Sequence, residues 1–279
     1  VDLSARTFAK YIGDSMGQSL VVDNKPGAGA SIGTTFVARA KPDGYTMMIG
    51  TNVTHSINPQ VMKSIRYDPI KDFEAVALIG LNGNVLLVKK DFPADNFPDF
   101  LKYAKANPGK LNHSAIIGSS GHLAAELLKQ EVKGLDYSLI PKNGGALLEL
   151  MGGHVDFIFT NIGTAIAQIQ SGKVKVLAVT TKERIPQLPN IPTIAESGVP
   201  GFEVVGWMGI FMPKGTPDAV VKRINQEVNK AQQNPAVRKI MDGADVILLE
   251  KTPEQAARFV KDEYSRWGKD VRAAKIQIH

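Results

Sequence analysis

Ile117-Gly118-Ser119-Ser120-Gly121-His122-Leu123 joins an apolar run to a helical pattern carried by Leu123, Ala124, Leu127 and Leu128. Small residues at a strand-to-helix turn leave the first backbone N–H groups of the helix uncovered. Those donors and the helix dipole make a ready anion site, and two hydroxyls lie in the same turn. The pattern recurs on both sides. Toward the N-terminus, Lys25-Pro26-Gly27-Ala28-Gly29 leads into a helix over 31–40, and Pro42-Asp43-Gly44 turns the chain into a strand over 45–49. Toward the C-terminus, Asn143-Gly144-Gly145 opens a helix over 146–151, and Thr160-Asn161 ends a strand over 155–159. Helices alternating with buried strands imply an α/β fold with mostly parallel sheets. In such sheets ligands sit beyond the carboxyl ends of the strands.

Further elements follow from spacing. Asp2, Ala5, Phe8, Ile12 and Met16 mark a helix almost from the first residue, and Ser19 to Val22 reads as a strand. Parallel α/β domains open on a strand, so a first strand is expected to be missing from this chain. Gly50 to His55 reads as a loop, and Val174 to Val179 as a strand. The last part is helical: Thr216-Pro217 and Asn234-Pro235 are start signals, and Thr252 with Gln255 is a capping box. Two long apolar strands, around Val85 and Ile210, bracket the middle of the chain. If both cross between domains, residues 1–86 and 212–279 form one lobe and 87–211 the other. That is a hinged plan with a cleft, and the final helices pack on the first lobe.

The 279 residues suffice for two domains. Hydrophobic content of 43% and charge of 22% are ordinary for a soluble protein. A net charge of +6 favours anionic partners, but Lys and Arg are scattered and no nucleic-acid motif occurs. With no Cys, disulfides, thiolate metal sites and Cys nucleophiles are excluded.

Catalytic readings fail on spacing. Gly27-Ala28-Gly29-Ala30-Ser31-Ile32-Gly33 has its third Gly one place late for a dinucleotide fingerprint, and Ile49-Gly50-Thr51 supplies no acid for a ribose. Gly118-Ser119-Ser120-Gly121-His122 has His where a nucleophile elbow needs its last Gly. His122 and Glu126 are too few for zinc and read as a helix-surface pair. No cofactor or metal is expected. Trp207 and Phe211 read as core or hinge packing.

Together these segments resemble the solute-binding proteins of tripartite tricarboxylate transporters. The carriers include Asn24-Lys25-Pro26-Gly27-Ala28-Gly29, Ala40-Lys41-Pro42-Asp43-Gly44-Tyr45, Gly50-Thr51 with His55, Tyr67-Asp68-Pro69, Asn107-Pro108-Gly109-Lys110, Ser119-Ser120 with His122-Leu123, and Gly198-Val199-Pro200-Gly201-Phe202. The resemblance implies a two-lobed type II periplasmic-binding fold. It implies an extracytoplasmic protein, not an enzyme, that catches a di-, tri- or aromatic carboxylate and passes it to membrane permease subunits. The carboxylate would be held by backbone groups, hydroxyls and water. Thr51, Ser119, Ser120, Gly121 and Asn161 match cleft segments of the family; Asn52, Asn143 and Gly144 lie in neighbouring turns. The family begins with a strand and a Pro/Gly-rich loop just before the position of Val1, and often has Pro-Tyr-Lys-Gly where this chain has Ile140-Pro141-Lys142-Asn143-Gly144. The expected protein is a periplasmic monomer. Alternatives are a sensing receptor with the same cleft and a small α/β hydrolase built on Ser120.

Overall fold

The structure is a computed structural model that describes residues 1–273 except Gly118 and Asn143, with backbone alone over 270–273. In chain order it runs α1 (Asp2–Met16), α2 (Ser31–Ala38), β1 (Met48–Thr51), a π-helical turn (Val53–Ile57), α3 (Asn58–Val61), β2 (Phe73–Lys89), α4 (Phe97–Ala106) and β3 (Leu111–Ala115). Then come α5 (Ser120–Glu131), β4 (Tyr137–Pro141), α6 (Ala146–Met151), β5 (Phe157–Asn161), α7 (Ile162–Gln170), β6 (Val174–Val179) and β7 (Val205–Pro213). The chain closes with α8 (Asp218–Gln233), α9 (Pro235–Gly243), β8 (Ile247–Leu248) and α10 (Pro253–Ala273). No described helix is long and apolar enough to cross a membrane.

The chain divides into two compact units. Unit one is Val1–Leu81 with the stretch from Trp207 onward, and unit two is Asn82–Gly206. The chain passes between them inside β2 and again inside β7.

In unit one, β1 pairs antiparallel with β7 from Met48↔Phe211 to Thr51↔Met208, and Gly80 and Leu81 of β2 pair with β8. Side chains of β7 alternate between two cores, as the period of a strand requires. Met208, Ile210 and Met212 join Phe8 and Ile12 of α1 and Val221 and Val228 of α8. Trp207 and Phe211 join Phe73, Leu78 and, from α10, Ala256 and Val260. Both aromatic rings are therefore core, as their spacing suggests.

In unit two, β2 runs antiparallel to both β5 and β6, while β3 runs parallel to β4 and β5. The sheet is mixed. Its core unites Val85 and Leu87 of β2, Ile158 of β5, Ile162 and Ala165 of α7 and Val179 of β6.

Several local readings need correction. Ser19 to Val22 forms no strand: Leu20 packs on the unit-one core, Val21 is 89% exposed, and the segment enters no ladder among the described residues. Gly50 to His55 is not a loop but the end of β1 and the start of the π-helical turn. Thr216 does not cap α8, because its hydroxyl donates to the Pro213 carbonyl instead. Asn234 caps α9, and Thr252 and Gln255 exchange both bonds of the capping box.

Candidate functional site

Ser119 is the N-cap of α5, and its Oγ accepts the His122 N–H at 3.2 Å. That bond satisfies one of the orphan donors of the first turn; the N–H groups of Ser120 and Gly121 point outward with no acceptor of their own along the helix. The Ser120 hydroxyl donates to Asn84 Oδ1 at 3.2 Å. Asn84 is 1% exposed, and its Nδ2 has no hydrogen-bond partner. An unsatisfied buried amide costs about 1–3 kcal/mol, so native chains keep few of them.

The Asn84 backbone is firmly held. Its N–H donates to Thr180 Oγ1 at 2.9 Å, the Thr180 N–H returns a 2.9 Å bond to the Asn84 carbonyl, and the Thr180 hydroxyl donates to the Val204 carbonyl at 2.6 Å. Across the antiparallel ladder, Asn84 is the register partner of Asn161. Directly opposed residues share a face, so the two amides are neighbours. Asn161 is also the N-cap of α7, yet its side chain makes no cap bond. Two helix starts thus meet at one buried amide, both presenting the positive ends of their dipoles.

Gly121 has a structural reason to be glycine. A Cβ there would run into the Phe159 carbonyl of β5. The bare Cα lets α5 lie flat on β5, which seats Ser119 and Ser120 beside Asn84. Gly144 is exposed at φ 150, in the turn before α6. Asn143 lies outside the described residues.

Thr51 and Asn52 belong to unit one. Thr51 ends β1; its N–H donates to Thr54 Oγ1 at 2.9 Å. Asn52 is 5% exposed and its Nδ2 has no partner. Beside it, His55 is fully buried, stacked on Phe211 with ring centroids 3.9 Å apart, and pushed down to about 3 by desolvation. The structure therefore groups Ser119, Ser120 and Asn161 in unit two and places Thr51 and Asn52 in unit one.

Sequence reading missed Asn84. The signal was present: Asn82-Gly83-Asn84 interrupts a long apolar strand, and a buried amide in a core strand needs a reason.

Other polar clusters are structural. The Gly27–Gly33 turn is tied down by Asn58, whose Nδ2 donates to the Gly29 carbonyl at 2.7 Å. His122 is buried rather than on the helix surface, and burial lowers its pKa; Glu126 on the same helix is raised by burial. The Ser120 hydroxyl faces an amide oxygen, too weak a base to activate a nucleophile. Among the described residues no group of three or more His, Asp and Glu is placed to hold a metal ion.

A family model described as the tripartite tricarboxylate transporter family receptor matches residues 4–276. Three solved structures share the fold over nearly the whole chain. One is a Rhodopseudomonas palustris protein, Rpa4515, with adipate, at 34% identity and TM-score 0.87, covering 99% of this chain and 93% of that one. The second is the periplasmic binding protein BugD, at 34% identity and TM-score 0.83, covering 99% and 93%. The third is MatC of Rhodopseudomonas palustris with bound malate, at 33% identity and TM-score 0.82, covering 97% and 94%.

Proposed function

The chain belongs to the tripartite tricarboxylate transporter receptor family, and from that premise we propose that it captures a small carboxylate outside the cytoplasm and delivers it to a membrane permease of that transporter class. The adipate and malate of two structural neighbours support a carboxylate as ligand, and the periplasmic BugD supports the location. The observation that carries the reading is the Asn84 amide. It is buried, unpartnered at Nδ2, bonded to Ser120 at the start of α5, and opposite Asn161 at the start of α7.

A carboxylate suits this arrangement. It is acceptor-only, with two oxygens and about four lone-pair sites. The Asn84 Nδ2, the first N–H groups of α5, the Ser119 hydroxyl and the Asn161 amide can all donate, and the Ser120 hydroxyl can do so by turning its one proton from Asn84 Oδ1 to the ligand. Charge-assisted bonds of this kind are worth about 1.5–3 kcal/mol each. The helix dipoles supply the positive potential that a Lys or Arg would otherwise bring. Thr51 and Asn52 are proposed as further donors from unit one, with Asn143 and Gly144 as turn donors. Binding is stoichiometric and leaves the acid unchanged.

Titration calorimetry with adipate and malate tests the reading. Binding should be weakened about tenfold in Ser120→Ala, the loss expected when one charge-assisted bond goes. Carboxylate affinity unchanged in Ser120→Ala and Asn84→Ala alike would place the site elsewhere, and hydrolysis of a carboxylate ester to acid and alcohol, abolished in Ser120→Ala, would replace the reading with that of a hydrolase.

A further inference from the structure

Ile116 and Ile117 are 49% and 45% exposed. Ile is among the residue types most often fully buried, and here two stand side by side, separated from the Ser119 cap by one residue. With Pro141 and Lys142 they line an open depression of about 320 Å³ in unit two, at the lower end of the size range of small-molecule sites. The wall is built into the site. The Ser119 N–H donates to the Ile116 carbonyl at 3.0 Å, so the first isoleucine and the helix cap are one turn. The Lys142 N–H donates to the Ala115 carbonyl at 3.1 Å, which fixes the opposite wall to the end of β3. The Lys142 ammonium is paired with Glu149 at 3.2 Å, which neutralises much of its charge within the lining. Branching at Cβ keeps both isoleucines stiff.

We infer that the ligand is a carboxylate with an apolar body, an aliphatic chain or an unsubstituted ring, which lies against Ile116 and Ile117 while its carboxylate meets the start of α5. This rests on the carboxylate reading and narrows it. Methylene or ring carbon laid on the isoleucines is removed from water with theirs. A hydroxyl or an additional carboxylate laid against the isoleucines would lose its water and find no partner there, since the cation of the lining, Lys142, is already paired with Glu149. The anion site sets the charge of the ligand, and the isoleucines select among acids.

The test is titration calorimetry on the full chain, unfolded and refolded to strip bound acids, with hexanoate, benzoate and adipate against malate and citrate. The first three should bind more tightly by on the order of tenfold or more, the gain expected for covering two half-exposed isoleucines. Ile116→Ser with Ile117→Ser should erase that advantage. Both side chains are exposed, so the fold should survive, and malate and citrate should change by no more than about twofold, since a surface exchange away from their contacts is nearly neutral. Malate or citrate binding as tightly as the apolar acids, or an apolar preference that persists in the double variant, would overturn the inference and leave the carboxylate reading standing. No binding by any of the five would overturn both.

Discussion

Acidification should destabilise this protein well above the range where carboxylates titrate, and the cause is two buried imidazoles. His55 in unit one and His113 in unit two are both 0% exposed, and desolvation pushes each down to about 3 from an ordinary 6.5. His113 stacks on Phe157, meets Tyr137 edge-on, and has no partner at either ring nitrogen. The folded state therefore keeps both rings neutral while the unfolded chain takes up protons below about pH 6.5. Stability is fully present above that pH and is lost as pH falls toward 3. Between pH 7 and 5 each ring costs about 2 kcal/mol, or about 4 kcal/mol for the pair. Asp245 works the other way. The residue is 5% exposed and burial raises its carboxyl to about 6, so its ionisation penalty is relieved over the same interval, returning about 1 kcal/mol. The expected net loss is about 3 kcal/mol, a large part of a typical stability. Urea unfolding at pH 7 and pH 5 measures it. His113→Phe keeps the stacked ring and removes the proton site, so it should recover about 2 kcal/mol of the acid loss without harming stability at pH 7. A wild-type loss below about 1 kcal/mol, or an unchanged loss in His113→Phe, would refute the claim that these rings stay neutral in the fold.

Gly121→Ala should cost about 1–3 kcal/mol in urea unfolding, because its Cβ meets the Phe159 backbone rather than a side chain that can swing away. Any loss of ligand affinity in a bulky variant at that position therefore has to be read beside its stability. Asp245→Asn should stabilise the protein by about 1–2 kcal/mol at pH 7.5, since it removes a buried charge and Asn tolerates the residue's φ of 53; the gain should shrink as pH falls through 6. Asn84→Asp should weaken carboxylate binding more than Asn84→Ala does, because it sets a like charge against the ligand, and calorimetry on the two variants at pH 7.5 would show equal affinities if Asn84 were remote from the site.

The layout of the chain was legible because it is written in periodicity. The strand at Val174–Val179 and the helices at Asp2–Met16 and Ala146–Met151 stand where their apolar spacing put them. The start of α5 was legible for a chemical reason: Ser119 and Gly121 are turn and contact residues whose types carry information. The failures also have causes. Ser19 to Val22 has strand composition, and Leu20 and Val22 are both half-buried, but among the described residues it has no strand beside it to complete a ladder. The π-helical turn at Val53–Ile57 depends on tertiary packing, with His55 wedged between Phe211 and Phe73 and Gly50 leaving room for its ring. Asn84 was hidden because a strand's sequence says that an amide is present, and its neighbours in space decide whether that amide has a partner. Those neighbours are Ser120 and Asn161, 36 and 77 positions away in sequence.

That the proposed site has an amide rather than a guanidinium at its centre fits what a receptor must do between ligands. A buried cation without its counter-ion pays a desolvation cost of several kcal/mol, and it shifts its neighbours' protonation as well. A buried amide left unpaired costs about 1–3 kcal/mol. Unit two carries the smaller cost and distributes the positive potential over two helix starts, where it is part of the backbone and never has to be desolvated as a point charge. The cost at Asn84 Nδ2 is offset locally: Thr180 bonds the same residue through both backbone groups, and Ser120 holds the amide oxygen. Such a site is weak in any one bond and gains strength only when several donors converge on one acceptor. A planar carboxylate with two oxygens meets that condition, whereas a neutral carbonyl offers half the lone pairs and none of the charge. In the proposed site, selectivity for anion over neutral ligand would thus be set by the backbone and one amide, which would leave the surrounding side chains, Ile116 and Ile117 first, to choose the body the carboxylate carries.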